Sequence, residues 1–183
     1  MQGRSVPRLT WTVLAIAAWA GAATAEPLSR IQADGSLKLA VDERATVRLG
    51  DDGGLTWVSA EPAPDGAAAP PKPRATGAGP RDGNPLVSTP PGTVSFVASQ
   101  VGDSVLLKVE NGGSRAFDYQ AWLPRGGALE PSNVCTVLPL LAGYEQWPGR
   151  RLPWIVFNRF ETHETNGVRC PQPSGPPPAV PAP

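Results

Sequence analysis

Alternation of apolar and polar positions is the dominant signal between residues 93 and 170. In the stretch 104–110, Val105, Leu107 and Val109 fall on one face, the period of two that marks a half-buried strand. The stretch 116–123 repeats the pattern, with Phe117, Tyr119 and Ala121 alternating against Asp118, Gln120 and Trp122. Residues 93–97 and 152–160 read as further strands, the latter built around Trp154-Ile155-Val156-Phe157. Turn signals separate them: Gly102-Asp103, Asn111-Gly112, Gly126-Gly127 and Asn166-Gly167. No segment sustains a 3.6-residue period, and Pro131, Pro139, Pro148 and Pro153 would interrupt a long helix. The pattern predicts an all-β domain over 93–170, a small immunoglobulin-like β-sandwich of six or seven strands, with a small β-barrel as the alternative. The stretch 128–149 is weakly patterned and reads as a long loop or irregular edge strands. True immunoglobulin domains place a tryptophan between two cysteines in a set strand context; here Trp122 precedes both Cys135 and Cys170.

The flanking regions carry other patterns. Residues 30–59 hold short alternating stretches and read as an N-terminal β-hairpin segment, whose pairing with the main sheet is open. Residues 60–92 are rich in Pro, Ala and Gly. Within them, 61–85 contain no aromatic and no branched aliphatic side chain, which predicts a linker or long loop. The tail 171–183, mostly Pro and small residues, should be extended and mobile. At the other end, Arg4 and Arg8 precede an apolar run over 9–20, shorter than the roughly 20 residues that span a bilayer. Ala23-Thr24-Ala25 then satisfies the small-x-small rule, so residues 1–25 read as a secretory signal. A periplasmic or secreted location follows, with no transmembrane segment in the mature chain.

Residues 50–57 read Gly-Asp-Asp-Gly-Gly-Leu-Thr-Trp. The core from Asp52 to Trp57 resembles the Asp-box, a hairpin motif of sialidase-type β-propellers usually written Ser-x-Asp-x-Gly-x-Thr-Trp; Gly50 stands where that motif has Ser. The resemblance implies a structural turn away from any catalytic centre. It does not imply a propeller, which needs at least four blades of about 40 residues. The expected hairpin has Val47 and Leu49 on one strand and Trp57 and Val58 on the other. Asp52 would accept backbone hydrogen bonds in its own turn, the glycines would take strained dihedrals, and Trp57 would cover the hairpin.

Charge and chemistry narrow the function classes. Removing the leader leaves 14 basic residues against 16 acidic, a balance that argues against nucleic acid as a partner. Export places Cys135 and Cys170 in an oxidising compartment where they should pair, and closing that loop stabilises by roughly 3–4 kcal/mol on the chain-entropy estimate. His163, the single histidine, lies among Glu161 and Glu164, too few ligands for a zinc set. No Gly-x-Ser-x-Gly elbow favours a triad among Ser104, Ser114 or Ser132 with Asp103 or Asp118, and no phosphate loop is present. The reading is therefore a non-catalytic chain without metal or cofactor: an interaction or accessory subunit of a bacterial envelope assembly, with a protein partner. The alternatives are a carbohydrate-binding or adhesion module and a small secreted hydrolase. Tyr144, Trp147, Arg150, Arg151 and Trp154 combine rigid rings with arginines and form the candidate interaction surface, one tryptophan, Trp154, being expected to fill the core.

Overall fold

The computed structural model describes residues 28–64, 68, 87–165 and 167–179. The stretch expected to be a secretory leader, most of the expected linker, Asn166 and the end of the tail lie outside the described residues. Ten strands follow in order: β1 (Arg30–Ile31), β2 (Leu37–Ala40), β3 (Glu43–Leu49), β4 (Leu55–Pro62), β5 (Val94–Val101), β6 (Ser104–Asn111), β7 (Ala116–Arg125), β8 (Ala128–Ser132), β9 (Ala142–Trp147) and β10 (Trp154–His163). They make two antiparallel five-stranded sheets, β1-β2-β10-β7-β8 and β4-β3-β5-β6-β9. The architecture is a β-sandwich; the barrel alternative is set aside because no strand pairs between the two sheets among the described residues.

Six of the strands, β5 to β10, come from the expected domain. The other four come from the N-terminal segment, which is not a separate hairpin: β1 and β2 join the first sheet through β10, and β3 and β4 join the second through β5. Both ends of the expected linker also belong to the fold. β4 runs on to Pro62, and Ser88 is held by the Glu110 carboxylate through its N–H (3.2 Å) and hydroxyl (2.8 Å).

The period of two decides what enters the core. Phe117, Tyr119, Ala121 and Leu123 of β7 face Val105, Leu107 and Val109 of β6 across the gap, joined by Phe96, Ile155, Phe157 and Phe160. Aromatic rings dominate the centre: Phe96 lies 5.1 Å from Phe157 and makes an edge contact at 6.0 Å with Tyr119.

The weakly patterned stretch 128–149 supplies the edge strands β8 and β9, one to each sheet. The chain leaves β8, makes a single bridge from Val137 to Phe117 of the first sheet, and then pairs with β6 of the second. Crossing between sheets breaks the regular alternation, which is why the sequence pattern fades there. The disulfide Cys135–Cys170 forms. It ties this crossing to the segment after β10, since the last strand itself ends at His163. The tail is not free over its described part. Residues 171–179 run without regular structure across the outer face of the first sheet, where Gln120 meets Ser174.

Candidate functional site

Strand parity distributes the five expected surface residues rather than gathering them. Trp147 pairs with Val105 and points between the sheets. It is 8 % exposed, and its indole N–H donates to the Ser132 hydroxyl at 2.7 Å. Trp154 pairs with Ala40 and points out of the first sheet. It is half-buried beside Trp122, Leu129 and Val156, with the Lys38 ammonium 5.7 Å above its ring. Trp147 thus packs in the core between the sheets, whereas Trp154, expected to fill the core, packs half-buried on the outer face of the first sheet. Tyr144, opposite Lys108, is on the outer face of the second sheet, the other side of the molecule from Trp154.

Arg150 and Arg151 do stay together. They sit in the β9–β10 loop, pinned at its ends by buried Trp147 and Leu152. Glu130 draws in Arg150 (3.3 Å) and Arg125 (2.8 Å), while Arg151 is exposed beside them. With Pro124 and Pro148 they line an open depression of about 370 Å³.

A different surface surrounds the disulfide. Leu138, Leu141, Tyr144 and Val168 line a cleft of about 250 Å³, together with Cys135 and Glu145. Beside it Leu140 is 56 % exposed, and Val168 is 62 % exposed. Leu140 has φ of +56°, a left-handed conformation that costs a branched non-glycine residue roughly 1–2 kcal/mol. The left-handed backbone and the exposed apolar side chain thus coincide at one residue. Glu145 faces inward by its register with Leu107 and accepts the Cys135 N–H at 3.0 Å. Burial pushes its carboxyl above the usual range, against the lowering effect of that bond. Among the described residues β9 has only β6 as a strand neighbour, so its other edge is unpaired in the sheet order. Sequence reasoning passed over this surface; the run Pro139-Leu140-Leu141, apolar without periodicity, was the available signal.

The polar residues singled out for chemistry are placed as follows. His163 Nε2 is 3.9 Å from Asp118 Oδ2, but Asp118 is already engaged by Arg169 (2.6 Å) and by the Thr136 hydroxyl (2.6 Å). Glu164 approaches Arg115 at 3.5 Å. Among the described residues no three metal-binding side chains cluster. The Asp-box-like segment does form the β3–β4 turn: Asp52 accepts the Gly54 N–H at 2.9 Å, and Gly50 and Gly54 pair through their backbones. Arg115 joins this turn to β10 by bonding Asp51 (2.9 Å) and the Thr162 carbonyl (3.2 Å). Trp57, 37 % exposed, stands on the edge strand β4.

No helix among the described residues is long and apolar enough to cross a membrane. A comparison of the chain with protein-family models, with curated proteins and with solved structures finds no match in any of the three.

Proposed function

We propose that the chain is an exported, non-catalytic interaction subunit of a bacterial envelope assembly. Its docking surface is the free edge of β9 with the apolar cluster Leu140, Leu141 and Val168, and its partner is an extended protein segment that adds a strand there. The observation that carries this reading is Leu140, an exposed leucine held at positive φ beside an unpaired strand edge. Strained residues persist where the surrounding structure over-determines them, and such places concentrate at binding sites. A strand edge supplies main-chain hydrogen bonds to an incoming segment, while adjacent pockets select its side chains. Covering each of the three exposed side chains adds on the order of 1 kcal/mol. The Glu145 carboxylate lining the cleft selects a basic residue on the incoming strand.

The disulfide and the leader support export. In place of the arginine and aromatic loop as a whole, the reading keeps Tyr144 as part of the docking cleft and assigns Trp147 to the core beneath it. The carbohydrate-binding alternative draws support from one observation, Trp57 on the exposed edge strand β4. A change in tryptophan fluorescence on adding cell-wall glycans, abolished in Trp57→Phe, would favour it.

The test uses the full chain in intact cells, with a photo-crosslinking amino acid at Gln146, which is exposed on β9, and a control at Ser59 on β4. A single envelope protein crosslinked from 146 and not from 59, and lost in Leu140→Asp/Leu141→Asp, is the expected outcome. Crosslinks unchanged by that double variant would overturn the docking surface. So would their absence at position 146.

A further inference from the structure

The outer face of the first sheet holds the proline-rich tail by its backbone. Arg169, just before the tail, is fastened to Asp118 of β7 at 2.6 and 2.9 Å. Two positions further along β7, the Gln120 amide donates to the Ser174 carbonyl (3.1 Å) and accepts the Ser174 N–H (3.0 Å) in the orientation that matches donor to acceptor. The Arg159 guanidinium then packs against Gly175 so closely that its Cζ lies 2.7 Å from where a Cβ would stand. At the far end, the Ala179 N–H lies near Asp34 in the β1–β2 turn and helps to lower that carboxyl's pKa. Pro173 and Pro178 are half-buried along this path.

These contacts come from three separate elements, and their chemistry is selective. A proline-rich segment in extended form has no internal hydrogen bonds and few N–H groups. Of the four N–H groups between 171 and 179, that of Ser174 meets an acceptor on this face. Arg159 belongs to a bulge in β10 and has φ of +52°, a strained conformation for arginine. The strain coincides with the closest contact to the tail.

We infer that this face is a binding surface for a proline-rich extended segment of a partner protein, with small residues such as Ser-Gly between the prolines, and that the chain's own tail is the resident occupant. This inference stands on observations separate from the β9 edge. A partner is favoured over a second copy because only three residues lie between Cys170 and Ser174. With Arg169 on Asp118, that tether is too short to carry the tail to another molecule.

The experiment uses the full chain with its disulfide intact and a fluorescent peptide spanning residues 171–179. Gly175→Val puts a β-branched side chain at a φ of +76° and onto the Arg159 guanidinium, so the tail should leave its seat. Amide hydrogen exchange should show Ser174 protected in the parent and unprotected in the variant. The peptide should bind Gly175→Val by anisotropy and bind the parent at least about tenfold more weakly, since a short tether supplies an effective concentration on the order of millimolar. Adding Gln120→Ala and Arg159→Ala should abolish binding to the variant. An unprotected Ser174 in the parent, equal binding to parent and variant, or no binding to a variant whose tail is released would overturn the inference. A parent chain that dimerises by exchanging tails would overturn the choice of partner.

Discussion

Gly53, in the turn between β3 and β4 of the second sheet, lies against the carbonyl oxygen of Phe160 in β10 of the first, so that no Cβ fits there. The turn that resembles an Asp-box thus closes one end of the sandwich, aided by Arg115 between Asp51 and Thr162. Gly53 also has φ of +80°. Gly53→Ala should lose about 2–4 kcal/mol, the sum of a left-handed alanine and a displaced strand. Gly35 has nearly the same φ, +81°, but open space around it. Gly35→Ala should lose only about 1 kcal/mol. The difference between their thermal unfolding midpoints measures the contact across the sheets.

Two carboxylates, the buried Glu110 and the half-buried Glu145, should respond to pH in opposite senses. Burial pushes Glu110 up, but bonds from Lys108 (2.7 Å) and Ser88 outweigh it and hold the group below its ordinary value of 4.5. Its stabilisation is present above that value and is lost as pH falls through the lower folded-state value. Glu110→Gln should therefore be destabilised by about 2 kcal/mol at pH 7, with the gap closing in acid. Burial raises Glu145 instead. The stability its protonation contributes is full below the ordinary value and is lost as pH rises through the folded one. Glu145→Gln, which keeps an acceptor for the Cys135 N–H, should melt higher than the parent at neutral pH and equal to it at pH 4. Melting curves at several pH values check both signs.

The disulfide spans 35 residues, for which loop closure predicts a loss of roughly 3–4 kcal/mol on reduction. Asp118 anchors the same region by holding Arg169 and Thr136. Asp118→Asn in the oxidised protein should destabilise by about 1–3 kcal/mol, because charged hydrogen bonds are lost in a buried place. In the reduced protein its additional effect should be smaller, since the 169–170 segment is then free to leave. Denaturant unfolding of the four species gives the coupling.

Trp147→Phe should cost about 1–3 kcal/mol, from lost core area and a Ser132 hydroxyl without its donor. Arg151→Ala, on the exposed side of the same loop, should change stability by less than about 0.5 kcal/mol. Equal effects of the two would show that Trp147 is not a core residue.

Much of this fold was legible along the chain. The alternations 104–110 and 116–123 correctly assign which side chains of β6 and β7 face inward, because a strand buried on one face imposes a period of two whatever its partners. The turn at 50–54 was legible for the same local reason: Asp52 and the glycines satisfy requirements that lie within five residues. The candidate site was read less well. Trp147 and Trp154 carry the same chemistry in sequence and differ in fate only because β9 lies in one sheet and β10 in the other, each with its own inward parity.

Composition and local pattern by themselves determined the all-β class, the pairing of the only two cysteines, and several turns, since each depends on residues near in sequence or on counting. Tertiary structure decided that residues 30–62 contribute four strands, that Leu140 is displayed beside a free edge, and that Gln120, Arg159 and Asp34 converge on the tail. These are meetings of residues tens of positions apart, selected by which burial and hydrogen bonding the whole chain can satisfy at once, and no short window of sequence carries that information.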